Sequence, residues 1–119
     1  MSLGNFNEDN NLDLALAYVN VGAAPSSVRT LLGNGDGTFR WGSRIRLGQF
    51  NPSIATADFN GDGIPDLVVP GIHCPIDGHH ANCISVLLGN GDGTFQPPAN
   101  FPEGSAAYQL TVADFNGDG

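Results

Sequence analysis

The sequence contains no lysine and only four arginines, against 12 acidic residues, which gives its 119 residues a formal net charge of −8. This shortage of positive charge disfavours contact with nucleic-acid phosphates and with anionic lipid surfaces. A run of about 18 apolar residues is also missing, so the sequence predicts no membrane-spanning helix. We therefore expect no nucleic-acid partner and no membrane span.

Glycine and proline are abundant where charge is scarce. There are 17 glycines and 8 prolines, while charged residues make up 13% of the chain. Glycine permits the positive φ angles of tight turns and proline fixes φ, so this composition is typical of many turns between short strands. Because 40% of the residues are apolar, the chain can still bury a core. The composition predicts an all-β protein.

Two motifs occur twice with the same spacing. LLGNGDGTF occupies residues 31–39 and 87–95. ADFNGDG occupies residues 57–63 and 113–119, so each second copy begins 56 residues after the first. A weaker copy of the acidic motif, NFNEDNNLD, occupies residues 5–13. Self-similarity at such a period is the signature of a repeat fold.

The repeating unit has room for four short strands. One complete period runs from about Pro52 to Pro102, and within it β-like runs lie at residues 53–58, 66–72, 84–89 and 94–101. Four strands in a period of about 50 residues are typical of a β-propeller blade, which is a four-stranded antiparallel sheet. The sequence therefore predicts about two blades of a propeller that is larger or is completed by oligomerisation.

The predicted blades divide the chain as follows. We interpret residues 1–3 as a vector-derived leader, 4–51 as a first blade that lacks its first strand, and 52–102 as a complete second blade. Residues 103–119 supply the first strand of a third blade, at 109–114, and a truncated acidic loop. We expect the chain to be cut from a longer parent. Exchange of the C-terminal strand between chains would give a homo-oligomer.

The acidic motif DFNGDGIPD, residues 58–66, has oxygen-bearing side chains at alternate positions. A tightly coiled loop would aim these and one backbone carbonyl at a common centre, which matches the hard oxygen ligands that calcium prefers. Three carboxylates so close together repel one another unless a cation neutralises them. Phe59 and Ile64 are expected to point out of the metal shell and into the core. The predicted calcium ligands are Asp58, Asn60, Asp62, the carbonyl of Ile64, and Asp66.

The other two acidic segments are weaker versions of this loop. Their predicted ligands are Asn5, Asn7, Asp9, Asn11 and Asp13 in the first, and Asp114, Asn116 and Asp118 in the last. The alternative is that Asp, Asn and Gly only form turns through side-chain-to-backbone hydrogen bonds, without an ion. This alternative weighs more for the first copy, and the last copy, which lacks its final ligand, is expected to bind calcium poorly. For the two GNGDG segments, residues 33–37 and 89–93, we favour plain hairpin turns.

ADFNGDGIPDLVV, at residues 57–69, and the two LLGNGDGTF motifs resemble the FG-GAP or VCBS repeats. These repeats occur in the integrin α-subunit propeller, in fungal propeller lectins and in large bacterial exported proteins. The resemblance covers nearly the whole chain after residue 3. It implies a seven- or eight-bladed β-propeller parent, with calcium bound in the loops between strands 1 and 2 by the ligand sets given above for residues 58–66 and 5–13. Such integrin-like, calcium-binding repeats imply a secreted protein of cell adhesion or recognition.

The segment HCPIDGHHANC, residues 73–83, is an insertion that the first unit lacks. Antiparallel connections alternate between the two ends of a sheet, which places this insertion opposite the acidic loops. We favour a disulfide between Cys74 and Cys83, because the flanking strands bring them close together. The alternative is a zinc site formed by both cysteines and two of the three histidines His73, His79 and His80.

Loops on a rigid scaffold are frequent binding sites, so the same three histidines mark a candidate surface for a glycan or protein ligand. No nucleophile with a matching base and orienting partner can be assembled, and we expect no enzyme activity. The expected function is a calcium-binding segment of an adhesion or recognition protein, in which calcium is structural. The alternatives are an accessory propeller domain of a secreted enzyme, such as a carbohydrate-active enzyme, or a structural spacer. A disulfide predicts an extracellular, cell-surface or periplasmic location.

Overall fold

The computed structural model describes residues 1–20, 25–50, 52–76, 78–104 and 109–117. Within these ranges the chain forms nine β-strands in two antiparallel sheets. The same ranges contain no helix that is long and apolar enough to cross a membrane. The prediction of an all-β protein is confirmed.

The first sheet has four strands in the order in which they occur in the chain. These are β1 (Ser2–Gly4), β2 (Asp13–Tyr18), β3 (Ser27–Gly33) and β4 (Phe39–Arg46). The first acidic loop connects β1 to β2, and the first GNGDG segment connects β3 to β4. Both connections therefore lie at the same end of the sheet.

The second sheet has the same plan, with one edge built from two pieces. Its strands are β5 (Gln49–Phe50), β6 (Ala55–Ala57), β7 (Asp66–Ile76), β8 (His79–Leu87) and β9 (Ala99–Pro102). Both β5 and β6 pair with β7, at different points along its length. β8 and β9 follow in order. Each sheet thus has the four strand positions of a propeller blade.

The strands of the second sheet differ in length from the predicted runs. β7 and β8 continue into a hairpin that reaches Ile76 and His79, so the segment predicted as a loop between them is mostly strand. The predicted run at 94–101 forms a bridge at Phe95 and becomes a strand only at Ala99. Pro97 and Pro98 explain this gap, because proline has no N–H to donate to a sheet.

The two ends of the chain differ from prediction. The first sheet was expected to lack its first strand, but Ser2–Gly4 pairs with β2 and fills that position. Its register is the one that β6 has on β7, since Gly4 lies opposite Asp13 as Ala57 lies opposite Asp66. Residues 109–114 were expected to form a strand and do not. A strand requires a partner, and no strand of the described chain pairs with this segment.

The hydrophobic core lies between the two sheets. The first sheet and its acidic loop contribute Phe6, Ala15, Val28 and Leu32, and the second sheet and the turn before it contribute Ile54, Leu67, Val69 and Leu87. Three polar contacts also join the sheets: Ser2 to Thr56 through their hydroxyls, Gly93 N–H to the carbonyl of Phe6 at 2.8 Å, and the Ser43 hydroxyl to the carbonyl of Gly93 at 2.7 Å. One blade is therefore packed directly on the next.

Candidate functional site

The loop between β6 and β7 contains the strongest predicted calcium motif. Gly61 and Gly63 have φ angles of 77° and 83°, in the left-handed region that glycine occupies without strain. These two residues coil residues 58–66 tightly enough for side chains to bond to backbone groups within the loop. Asn60 Oδ1 accepts the Asp62 N–H at 3.1 Å, and Asp62 Oδ1 accepts the Ile64 N–H at 2.8 Å.

Asp58 organises the beginning of this loop. Its Oδ1 accepts the N–H of Gly61 at 2.7 Å and that of Asp62 at 3.2 Å, and its Oδ2 accepts the N–H of Gly63 at 2.8 Å. The Gly63 N–H, with smaller effects from the other backbone donors, holds the pKa of the Asp58 carboxyl below its usual value. The carboxylate is therefore held in its charged form, the form that binds a cation.

Asp66 fastens the end of the loop to a second part of the blade. The residue is completely buried. Its Oδ2 accepts the N–H of Phe59 at 2.9 Å, and its Oδ1 accepts the N–H of Gly89 at 2.8 Å. Because Gly89 begins the GNGDG turn between β8 and β9, one carboxylate joins the two connections at this end of the sheet. Each bonded oxygen keeps a second lone pair, so these bonds do not exclude metal coordination.

The first acidic loop, between β1 and β2, repeats this conformation in spite of its different sequence. Asp13 is completely buried and accepts the N–H groups of Phe6 and Gly33, at 2.7 and 2.8 Å, as Asp66 does in the second loop. Glu8 and Asn10 take the places of the two glycines and have φ angles of 58° and 66°. Asparagine adopts such angles more readily than most residues, whereas for Glu8 they are uncommon and indicate that its surroundings impose them. The loop geometry is thus a fixed feature of the blade.

Asp9 in the first loop corresponds to Asp62. Its Oδ1 accepts the Asn11 N–H at 2.9 Å, and its Oδ2 accepts the side-chain amide of Asn7 at 2.8 Å. The Asn11 N–H makes the largest contribution to lowering the pKa of the Asp9 carboxyl. Asn5, at the first ligand position, is different: its Oδ1 is buried and has no hydrogen-bond partner among the residues that the structure describes. A buried acceptor without a donor is costly, and a bound cation would satisfy it.

The third acidic segment begins in the same way as the second. Asp114 Oδ1 accepts the Gly117 N–H at 2.7 Å, which matches the bond from Gly61 to Asp58. Asn116 also lies in this turn, whereas the predicted ligand Asp118 lies outside the described residues. The described part of the segment is thus compatible with the predicted truncated loop.

The donor atoms of the first two loops fit calcium in their chemistry. Each loop offers carboxylate, amide and backbone carbonyl oxygens in one short segment, and no nitrogen or sulfur ligand. Among the residues that the structure describes, no three Asp, Glu, His or Cys side chains converge as a group able to hold a metal ion. In this conformation the carboxylates turn toward backbone N–H groups instead, so coordination requires rotation of the exposed Asp and Asn side chains.

The two GNGDG segments form the predicted hairpin turns. The backbone N–H of Asn34 donates to the carbonyl of Thr38 at 2.9 Å, and that of Asn90 donates to Thr94 at 3.0 Å. Asp36 and Asp92 each accept both the hydroxyl and the N–H of the threonine two residues later. The threonine hydroxyl has the largest effect in lowering the pKa of each carboxyl.

The hairpin of β7 and β8 contains both cysteines and the histidines. Cys74 and Cys83 form a disulfide with a Cα–Cα distance of 6.0 Å, as favoured from the sequence. With both sulfurs joined, the alternative zinc site loses its two thiolates and is excluded. A Cβ on Gly71 would lie 2.5 Å from Cys74 Sγ, so the absence of a side chain at Gly71 makes room for the bond.

The histidines lie at the end of the sheet opposite the acidic loops, because β7 runs from Asp66 beside the second loop to the far hairpin. His79 and His80 are exposed on β8. The backbone of His73 belongs to β7, and its side chain lies outside the described part. The structure thus places two of the three candidate ligand-binding residues on an open surface.

Sequence reasoning missed the partners of the two buried carboxylates. Gly33 and Gly89, which donate to Asp13 and Asp66, belong to the LLGNGDGTF motif and were predicted only as turn residues. One signal was available: the acidic motif and LLGNGDGTF occur in the same order in each unit. Two motifs that recur together are expected to be in contact, and here a single carboxylate joins them.

A protein-family comparison identifies these features. The model of the FG-GAP-like repeat matches residues 5–69 and 76–119. The chain therefore belongs to the FG-GAP-like repeat family, whose repeats are the blades of β-propellers. A search of curated proteins found no match.

Proposed function

We propose that this chain is a calcium-binding segment of an extracellular adhesion or recognition propeller, in which calcium is structural. Residues 58–66 and 5–13 hold one ion each, with the ligands predicted from the sequence. A bound Ca²⁺ supplies positive charge and links distant oxygens of the loop, so that binding energy becomes folding energy. The chain acts by binding, and not by catalysis.

The observation that carries the calcium proposal is the buried, unpartnered Oδ1 of Asn5 at the first ligand position of a loop that otherwise matches the second one. The distribution of charge gives further support. From Leu47 to the end, the sequence contains no lysine or arginine, so Asp58, Asp62 and Asp66 have neither of these cations within their own blade. A cation from solution would neutralise them.

The extracellular location is supported by the disulfide, since such bonds persist in oxidising compartments. A recognition role is supported by the hairpin of β7 and β8, which extends the second blade on the side away from the acidic loops and exposes His79 and His80. A glycan or protein ligand would meet that surface. Binding to a glycan array that is lost in the double variant His79→Ala/His80→Ala would support recognition; no binding would favour an accessory domain or a spacer.

The calcium loops can be tested with two matched substitutions. Asp62 and Asp92 are both exposed aspartates beside a positive-φ glycine, but only Asp62 belongs to an acidic loop. Asp62→Ala removes a charged oxygen ligand, and we expect it to weaken calcium binding to the second loop at least about tenfold. Asp92→Ala is expected to leave the affinity unchanged. Isothermal titration with CaCl₂ measures both.

The number of sites gives a second check in the same titration. The wild type is expected to bind two ions per chain. Asp62→Ala and Asp9→Ala are each expected to bind one ion tightly, and the double variant is expected to bind none with comparable affinity. Equal losses in Asp62→Ala and Asp92→Ala would show that the acidic loops are not the sites. Unfolding by denaturant, measured in EDTA, confirms that each variant is folded.

A further inference from the structure

The charge of this chain is divided unevenly between its two blades. All four arginines, Arg29, Arg40, Arg44 and Arg46, belong to the first sheet, where four acidic residues balance them. Residues 47–119 contain the other eight acidic residues and no lysine or arginine, so they carry the whole net charge of −8. All the arginines that could pair with the acidic second part of the chain therefore lie in the first sheet.

The packing between the two blades defines which faces are left uncovered. In the second sheet, Leu67, Val69 and Leu87 are buried against the first sheet. Their counterparts in the repeat are Leu14, Leu16 and Leu31, which are only half-buried because no sheet of the described chain packs on them. The same face exposes 56% of Trp41 and 43% of Tyr18. We call this uncovered side of the first sheet the front face.

Three arginines belong to the front face. In an antiparallel pair, residues directly opposite each other project to the same side of the sheet. Arg44 lies opposite Arg29, and Arg29 lies opposite Leu16, so both arginines belong to the front face. Arg46 belongs to the same face, because it lies opposite Ser27, which in turn lies opposite Tyr18. The guanidinium of Arg29 stacks 3.8 Å from the centre of the Trp41 ring.

The corresponding uncovered side of the second sheet, the rear face, contains Glu103. Glu103 donates its N–H to Asn82 at 2.8 Å, as Leu47 donates to Ser26 at 3.0 Å one repeat earlier. Glu103 is thus the counterpart of Leu47, which packs against the core between the sheets. An exposed aromatic residue, Phe101, lies beside it.

The contact between the two sheets of this chain shows which residues Glu103 would meet if another blade packed on the rear face. Leu47 lines a pocket together with Ser85 and Asn100 of the second sheet. These two residues are paired across β8 and β9, and their counterparts, Arg29 and Arg44, are paired across β3 and β4 in the same register. A first sheet placed on the rear face would bring Arg29 and Arg44 next to Glu103.

The groups that would meet are incompletely paired within the chain. Glu103 Oε2 and Arg29 Nε are both buried and have no hydrogen-bond partner in the described structure. Buried polar atoms without partners are rare and costly. We propose that the chain associates head to tail with a second copy of itself, the front face of one copy packing on the rear face of the next, with Glu103 paired to Arg29 and Arg44.

Aromatic side chains at the end of the sheets that contains the acidic loops also have exposed counterparts on the two uncovered faces. Inside the chain, Phe6 of the first loop packs edge-on against Phe95 of the second sheet, with ring centroids 5.6 Å apart. The counterparts, Phe59 and Phe39, are 43% and 45% exposed. Head-to-tail packing brings Phe59 of one copy against Phe39 of the next, so the junction already present within the chain recurs between chains.

The C-terminal segment takes part in this contact. Residues 111–113 are the counterparts of β6. The strand β6 pairs with β7 in the same register in which β1 pairs with β2. The segment 109–114 of one copy therefore takes the place of β1 in the next copy and gains the partner strand that it lacks. Such a contact is heterologous, and it closes into a ring when the rotation allows. Propellers have about 4–8 blades, which corresponds to about 2–4 two-bladed chains.

The test is a charge exchange between copies. We expect wild-type protein at about 100 μM to form species of about 2–4 chains in sedimentation velocity. Glu103→Arg and Arg44→Glu are each expected to weaken association at least about tenfold, because each places like charges together. In an equimolar mixture, each junction between the two different variants again pairs opposite charges, so alternating assemblies with an even number of chains are expected to form.

Arg40→Glu is the matched control. Arg40 lies on the same strand as Arg44, but its Nη1 bonds to Asn34 of its own turn at 3.0 Å. This variant is expected to associate normally, and circular dichroism confirms that all variants are folded. Wild-type protein that stays monomeric, or association that survives Glu103→Arg and Arg44→Glu alike, would overturn the proposal. A mixture that fails to associate would do the same.

Discussion

Phe6→Ala is expected to lower the free energy of unfolding by about 3–5 kcal/mol, the usual cost of removing a buried phenylalanine. The side chain is 1% exposed and belongs to the core between the two sheets, where its ring contacts Phe95. The substitution leaves a cavity at the junction of the blades and removes contacts that hold one blade on the other. Urea unfolding followed by circular dichroism measures the change.

Phe59→Ala provides the matched control, because Phe59 has the same position in the second acidic loop. Its side chain is 43% exposed, so less apolar area is lost. We expect a cost below about 1 kcal/mol at low protein concentration, where chains are separate. Similar costs for the two substitutions would show that the core does not lie between the blades.

Asp66→Ala is expected to destabilise the protein by about 3–5 kcal/mol in EDTA, without any contribution from calcium. The residue is completely buried, and its two oxygens accept the N–H groups of Phe59 and Gly89. Removing the carboxylate leaves two buried donors without a partner and separates the acidic loop from the GNGDG turn. The midpoint of urea unfolding measures this effect.

The control for this prediction is Asp92→Ala, also measured in EDTA. Asp92 accepts the N–H and hydroxyl of Thr94 within its own exposed turn. Its loss is expected to cost about 1 kcal/mol or less. An Asp66→Ala variant as stable as Asp92→Ala would contradict the role assigned to the buried carboxylate.

The repeated motifs predicted most of the fold because they combine local turn chemistry with a fixed period. Asp, Asn and Gly at set positions determine the coiled loops and hairpin turns. The apolar runs between them form strands that bury Leu67, Val69 and Leu87. These features depend on neighbours that lie close in the sequence or recur with the period, so the sequence alone was sufficient.

The elements that sequence did not predict depend on partners elsewhere in the chain. The strand at Ser2–Gly4 has little β-forming character of its own and forms because the edge of β2 is open to it. Residues 109–114 have a strand-like sequence but no paired strand in the described structure. Phe59 was predicted to be buried and is instead 43% exposed, because no blade within the described ranges covers it as the second blade covers Phe6.

The sequence predicted some features of the candidate site, and only the structure shows the others. The alternation of oxygen-bearing residues identified the acidic loops, and the short insertion between two strands identified the disulfide, which is confirmed. The bonds from Asp13 and Asp66 to distant glycines and the unpartnered oxygen of Asn5 depend on how loops and turns meet in three dimensions. Each of the first two acidic loops contains both a buried and an exposed aspartate, and the order of residues does not show which of the two is buried.

The melting temperature of the wild-type chain, in calcium and in EDTA, tests the calcium proposal most directly. An ion that binds the folded loops at 100 times its Kd adds about 2.7 kcal/mol per site. With both loops occupied, we therefore expect CaCl₂ to raise the melting temperature by about 15–20 °C and EDTA to reverse the rise. Identical melting temperatures in CaCl₂ and in EDTA would contradict structural calcium in these loops.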